Sequence, residues 1–162
     1  MKHLEALNKY LNYFLMTLGA ISVLGLMVLA TGNVVLRILH VPFRGTYEIV
    51  SFLGACVIAF ALGYTQQTKS NIVVDILSEK FPPALANALD RIVHLVIMVF
   101  FGIVAWQVYV YAMKLMDSHE VSETLKVIYY PFVFAVALGF AVLAFTGLVD
   151  FLKALFGEGD RI

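Results

Sequence analysis

Residues 10–36 read YLNYFLMTLGAISVLGLMVLATGNVVL, 27 consecutive positions without a charged side chain. A helix rises about 1.5 Å per residue and the hydrocarbon core of a bilayer is about 30 Å thick, so about 20 apolar residues reach across it. The stretch is long enough to span with turns to spare. Lys2 and Lys9 precede it as they would a secretory signal, but the apolar segment of a signal is only about 7–15 residues long, so the reading is a retained membrane anchor. Leu4, Leu7, Leu11, Leu15 and Leu18 recur at three-to-four spacing from the N-terminal flank into the run. That predicts one continuous helix whose first turns lie at the interface.

Working outward, residues 49–68, 92–113 and 127–149 form three further uncharged runs of 20, 22 and 23 residues. Together the four runs hold 92 of the 162 residues, and all 22 charged side chains fall outside them. Charged residues make up 14% of the chain against about a quarter in ordinary soluble domains. Four such runs in a soluble protein would leave it without a polar surface. The fold class expected is therefore all-α: one integral membrane four-helix unit over residues 1–162, with spans at about 13–36, 47–67, 90–113 and 130–150. All eight tyrosines and Trp106 stand near run ends, where amphipathic rings suit the headgroup level.

The connections carry their own pattern. In residues 69–91, Ile72, Val73, Ile76, Leu77 and Phe81 share one helical face and Asp75, Ser78 and Glu79 the other. This predicts an interfacial helix at about 71–81, started by Ser70 or Asn71 and ended by Pro82 and Pro83. Pro83 is then placed to open a third helix extending over about 84–115, longer than a perpendicular crossing requires. Pro131 is expected in the first turn of the fourth. With the N-terminus inside, seven basic residues (Lys2, Lys9, Lys69, Lys80, Arg91, Lys153, Arg161) fall on the cytoplasmic side and four (Arg37, Arg44, Lys114, Lys126) outside, which predicts both termini in the cytoplasm.

Composition also excludes chemistry. Eleven basic against eleven acidic side chains leave no surplus to hold nucleic acid. The lone Cys56 makes neither a disulfide nor a thiolate metal site. No Asp, Glu, Lys or Arg lies near the middle of a span, whereas proton relays and ion pathways need one. A haem-bearing respiratory anchor, the competing reading, needs facing axial histidines, yet of His3, His40, His94 and His119 only His94 falls within a run, near its inner end, where a snorkelling or interfacial position is expected. No nucleophile–base pair or phosphate-cradling glycine loop is present, and Thr17, Ser22, Thr31 and Ser51 are expected to bond back to helix carbonyls. No cofactor and no enzymatic activity are expected. Small residues, by contrast, repeat at intervals of four as Ala55, Ala59 and Gly63 on the second span, and as Ala135/Gly139 and Ala137/Ala141 on the fourth. Such faces let helix backbones approach closely, inside the unit or against a partner.

The order of features resembles the small membrane subunit of tripartite ATP-independent periplasmic (TRAP) transporters over nearly the whole chain. The marks are Asn33 and Arg37 closing the first helix, then Pro42 and GTYEIVSFLGACVIAFALGYTQQTKSNIVVDIL at residues 45–77. There Gly45 and Glu48 precede the second helix, and Ile72, Val74 and Asp75 follow it. Trp106 late in the third helix and residues 128–131 entering the fourth also fit. The resemblance implies a bacterial inner-membrane subunit that does not bind substrate itself. Such a subunit pairs with a much larger membrane subunit carrying the substrate and sodium sites, to which a periplasmic binding protein delivers an organic acid anion. Expected contacts with the large subunit or lipid are Asn33, Arg37, Glu48, Ala55, Ala59, Gly63, Asp75 and Trp106, with Glu48 and Arg37 also a candidate ion pair. Arg44, Lys114, Glu120 and Lys126 on the outer loops are expected to meet the binding protein.

Overall fold

A computed structural model of the protein describes residues 2–41, 43–70 and 83–156. These form four helices, α1 (Lys2–Ile38), α2 (Thr46–Gln67), α3 (Pro83–Ser118) and α4 (Tyr130–Phe156). Each is long and apolar enough to cross a membrane. The interfacial helix expected at 71–81, and Asp75 within it, lie outside the described residues. Pro83 occupies the first position of α3 and Pro131 the second of α4, where a missing amide hydrogen costs nothing. At 37 and 36 residues, α1 and α3 measure about 55 Å and must tilt or project beyond the hydrocarbon.

The helices run up and down in a row rather than closing into a ring. α4 packs on α3 along one side and on α2 along the other, α1 packs on α2, and α1 meets α4 only briefly. Burial follows this order: of the most apolar stretch of each helix, 11% is buried in α1 and α3, 28% in α2 and 39% in α4. α4 is thus the hub, while α1 and α3 turn broad apolar flanks outward, among them Ile21, Leu24, Met27 and Val28 on one and Val96, Val99, Phe100 and Ile103 on the other. Within a bilayer such flanks need no cover, since lipid tails solvate them.

The core is small. Leu15, Cys56, Phe60 and Val142 form it, with Leu11, Leu18, Phe132, Ala135 and Val136 packed around. Aromatic pairs stitch the row at three seams: Tyr13 on Tyr64 joins α1 to α2 at 5.7 Å, Phe52 on Phe132 joins α2 to α4 at 4.5 Å, and Phe101 on Phe140 joins α3 to α4 at 6.1 Å. Thr17, Ser22 and Ser51 donate to the carbonyls four residues earlier, as their isolation predicts.

Of the recurring leucines of α1, Leu15 lies in the core with Leu11 and Leu18 packed around it. Leu4 and Leu7 are exposed, and the buried face runs Asn8, Asn12, Leu15 and Gly19. In lipid a leucine gains little by turning inward, whereas an amide left in hydrocarbon loses its hydrogen bonds, so polar residues decide which face is buried.

Candidate partner interface

Two polar knots, one toward each end of the helices, tie the row together. The first joins the end holding the start of α1 and the end of α4, here the terminal end. Asn12 on α1 is fully buried, and its Nδ2 donates among Asn8 Oδ1 at 2.9 Å, the Asn8 carbonyl at 3.0 Å and Thr146 Oγ1 on α4 at 3.0 Å. The Thr146 hydroxyl donates in turn to Asn8 Oδ1 at 2.8 Å, with the Val142 carbonyl 3.0 Å away as a second acceptor. Asn12 Oδ1 points at Gly63 of α2, where a side-chain carbon would collide with it. One amide thereby locks three helices. Asn12→Ala is expected to lower stability by about 1–2 kcal/mol, the upper range for an interhelical hydrogen bond in lipid, read as earlier thermal unfolding in detergent.

Around this knot Gln66 donates to Asp150 at 3.4 Å, Arg91 Nε donates to the Ala154 carbonyl at 3.1 Å, and Lys153 pairs with Glu5 at 3.4 Å. His94 is 6% exposed and lies within electrostatic reach of the Asp150 carboxylate. Of the snorkelling or interfacial placement expected, the ring does not snorkel outward: it is buried near the terminal end of α3, beside Asp150 of α4. The other three histidines are exposed.

The second knot sits at the opposite, loop end. Glu48, in the first turn of α2, accepts from the Ser122 hydroxyl at 2.7 Å, the Thr124 amide at 2.7 Å and the Leu125 amide at 3.0 Å, all in the α3–α4 connection. The ion pair of Glu48 with Arg37 anticipated from the sequence does not form. Arg37 is exposed at the end of α1, while three fixed donors stand directly over the carboxylate. A preorganised set of amides wins over a long side chain that must surrender its freedom to pair.

The small-residue faces divide between inside and outside. Ala59 and Gly63 are buried, the first against Gly139 of α4 and the second against Asn12. Close approach within the chain thus engages both, the internal use that such spacing allows. Ala55 on the same helix is exposed. On α4, Ala135 and Gly139 face α2, whereas Ala137 and Ala141 line an open groove shared with α3. This groove has a volume of about 640 Å³ and is walled by Gly102, Ala105, Trp106 and Tyr109 on one side and Phe134, Leu138 and Ala144 on the other. Trp106 stands 65% exposed at its rim. Asn33 is half-buried on α1 with its Oδ1 enclosed and unbonded. Arg44, Lys114, Glu120 and Lys126 are all exposed at the loop end.

Asn8, Asn12 and Thr146 escaped the sequence reading, although Asn8 and Asn12 stand one helical turn apart on one face and thus signal a shared neighbour. Ser122 had no signal, since only the fold brings it to Glu48. Among the described residues, no three His, Cys, Asp or Glu side chains gather as metal ligands would.

The family model for the DctQ component of tripartite ATP-independent periplasmic transporters matches residues 26–157. No curated protein and no solved structure matches the chain.

Proposed function

Because the chain belongs to the DctQ component family of tripartite ATP-independent periplasmic transporters, we propose that it braces the large membrane subunit of a sodium-coupled importer without binding substrate itself. The cargo is an organic acid anion, a carboxylate such as a C4-dicarboxylate or sialic acid, delivered by a periplasmic binding protein. As a TRAP small subunit the chain is a multi-pass protein of the inner membrane. The terminal end, with both chain termini, faces the cytoplasm and the loop end faces the periplasm, in line with the seven-to-four division of basic residues.

One observation carries the reading: the open groove is apolar, and the enclosed side-chain oxygens left without a hydrogen bond among the described residues, on Asn12, Asn33 and Gln67, do not line it. An anion or sodium site needs unspent donors or oxygens gathered in one place, and the groove offers a helix a nearly wholly apolar surface of alanine, glycine, Leu138 and aromatic rings. The groove, with Trp106 at its rim, seats a helix of the large subunit, and the exposed flanks of α1 and α3 widen the scaffold against which its transport domain moves. Asn33, Arg37 and Ala55 remain candidate contacts on the outer faces of α1 and α2. The exposed charges of Arg44, Lys114, Glu120 and Lys126 meet the binding protein.

The test is co-purification. An affinity-tagged chain extracted in mild detergent is expected to bring down a much larger polytopic membrane protein in a stable complex. Recovery of the chain alone, from membranes that hold the cognate large subunit, contradicts the reading.

A further inference from the structure

Residues 119–129 cross from α3 to α4 at the loop end without a helix or strand of their own, save for a single bridge between Val121 and Ile128. Their backbone takes a conformation that does not hold itself. His119 and Lys126 both have positive φ, 52° and 55°, which non-glycine residues keep only where their surroundings impose it. The imposing groups are visible. Ser122, fully buried, donates its hydroxyl to Glu48 Oε2 and accepts from the Val127 amide at 3.2 Å, while the Ser122 amide donates to the Val127 carbonyl at 2.8 Å. The successive amides of Thr124 and Leu125 converge on the two Glu48 oxygens at 2.7 and 3.0 Å, an anion-receiving arrangement of backbone dipoles. Leu125 then lies over Gly45, filling the space a side chain there would need. The loop is thus fastened to the start of α2 by one carboxylate and one leucine. Its own charged side chains, Glu120, Glu123 and Lys126, stay exposed.

We propose that Glu48 is a positioning residue for binding-protein docking: its carboxylate holds the 119–129 loop in the conformation that presents Glu120 and Lys126 to the incoming protein. The inference rests on the reading of the loop end as the periplasmic, docking end. Glu48 faces the loop with acceptors only, so glutamine in its place turns an N–H toward groups that are themselves donors. Part of the loop population then leaves the docking conformation, and apparent affinity falls by the fraction that remains competent: about tenfold if a tenth remains.

Two readouts on the assembled membrane complex in nanodiscs test this: hydrogen exchange at the Thr124 and Leu125 amides, and the Kd for the cognate periplasmic binding protein. Glu48→Gln is expected to speed exchange at both amides and raise Kd about tenfold. Gly45→Ala, whose φ of −81° accepts alanine, is expected to do the same by a separate route, unseating Leu125 while leaving Glu48 in place. Unchanged exchange in Glu48→Gln overturns the proposal. Faster exchange with an unchanged Kd, while Glu120→Lys or Lys126→Glu weakens binding, overturns it and leaves the docking end as assigned. A Kd that none of these variants alters overturns the docking assignment itself, and the inference with it.

Discussion

Gly139→Leu is expected to leave little folded chain in the membrane. A side-chain carbon at this position would lie 2.7 Å from the carbonyl oxygen of Ala59 and 2.8 Å from its carbonyl carbon and Cβ. Two of these atoms are backbone in the middle of α2, so no rotamer change relieves the overlap and the helices must separate. Overpacking of this kind costs about 1–3 kcal/mol and occasionally more. Here separation also strains the stack of Phe52 on Phe132 and the cluster of Leu15, Cys56, Phe60 and Val142. Because α2 and α4 form the middle of the row, their separation parts the α1–α2 side from the α3–α4 side. The check is thermal unfolding in detergent, with Gly139→Ala falling between the parent and the leucine variant. A leucine variant that unfolds with the parent would mean that α2 does not lie on α4 as described.

Ala141→Trp is expected to fail in the opposite manner, folding normally but losing the large subunit. Ala141 is two residues beyond Gly139, yet it is exposed and lines the groove between α3 and α4. An indole there meets no atom across a tight seam. Instead it occupies the space assigned to a partner helix, and forcing that helix outward costs about 1–3 kcal/mol. At 1.4 kcal/mol per factor of ten, association weakens about 10- to 100-fold. Thermal unfolding of the isolated chain should stay near that of the parent, while recovery of the large subunit on the tagged chain drops. Full recovery would show that the groove is not the seat. The two substitutions together separate the internal face of α4 from its external one.

That separation also marks where sequence reading stopped. The spans were legible because charge is prohibitive in hydrocarbon, so the positions of 22 charged side chains placed all four helices, α2 to within a residue of its expected ends, while α4 continues six residues past 150. The overhang of α1 was legible as well: the leucine spacing carries one helix through the charged flank with Glu5 and Lys9, and the chain is helical from Lys2. Small residues spaced by four were visible on both faces of α4, and their spacing does not say which face has a neighbour. Only the close approach at Gly139 and the open space at Ala141 tell them apart. Leucine spacing carried the continuity of α1, but not the lock on its inward side at Asn8 and Asn12, which runs through Thr146, 134 residues from Asn12. Glu48 was singled out, but its partners are a buried serine and two backbone amides, and backbone leaves no trace in residue identity.

The central claim is that this chain supports transport without performing it, and reconstitution in liposomes under an inward sodium gradient tests it most directly. Vesicles holding both membrane subunits, supplied with the cognate binding protein loaded with its organic acid, are expected to take up that anion. Vesicles holding this chain alone are expected to take up none, and those holding the large subunit alone much less than the pair. Uptake by this chain alone, or full uptake by the large subunit without it, would contradict the account.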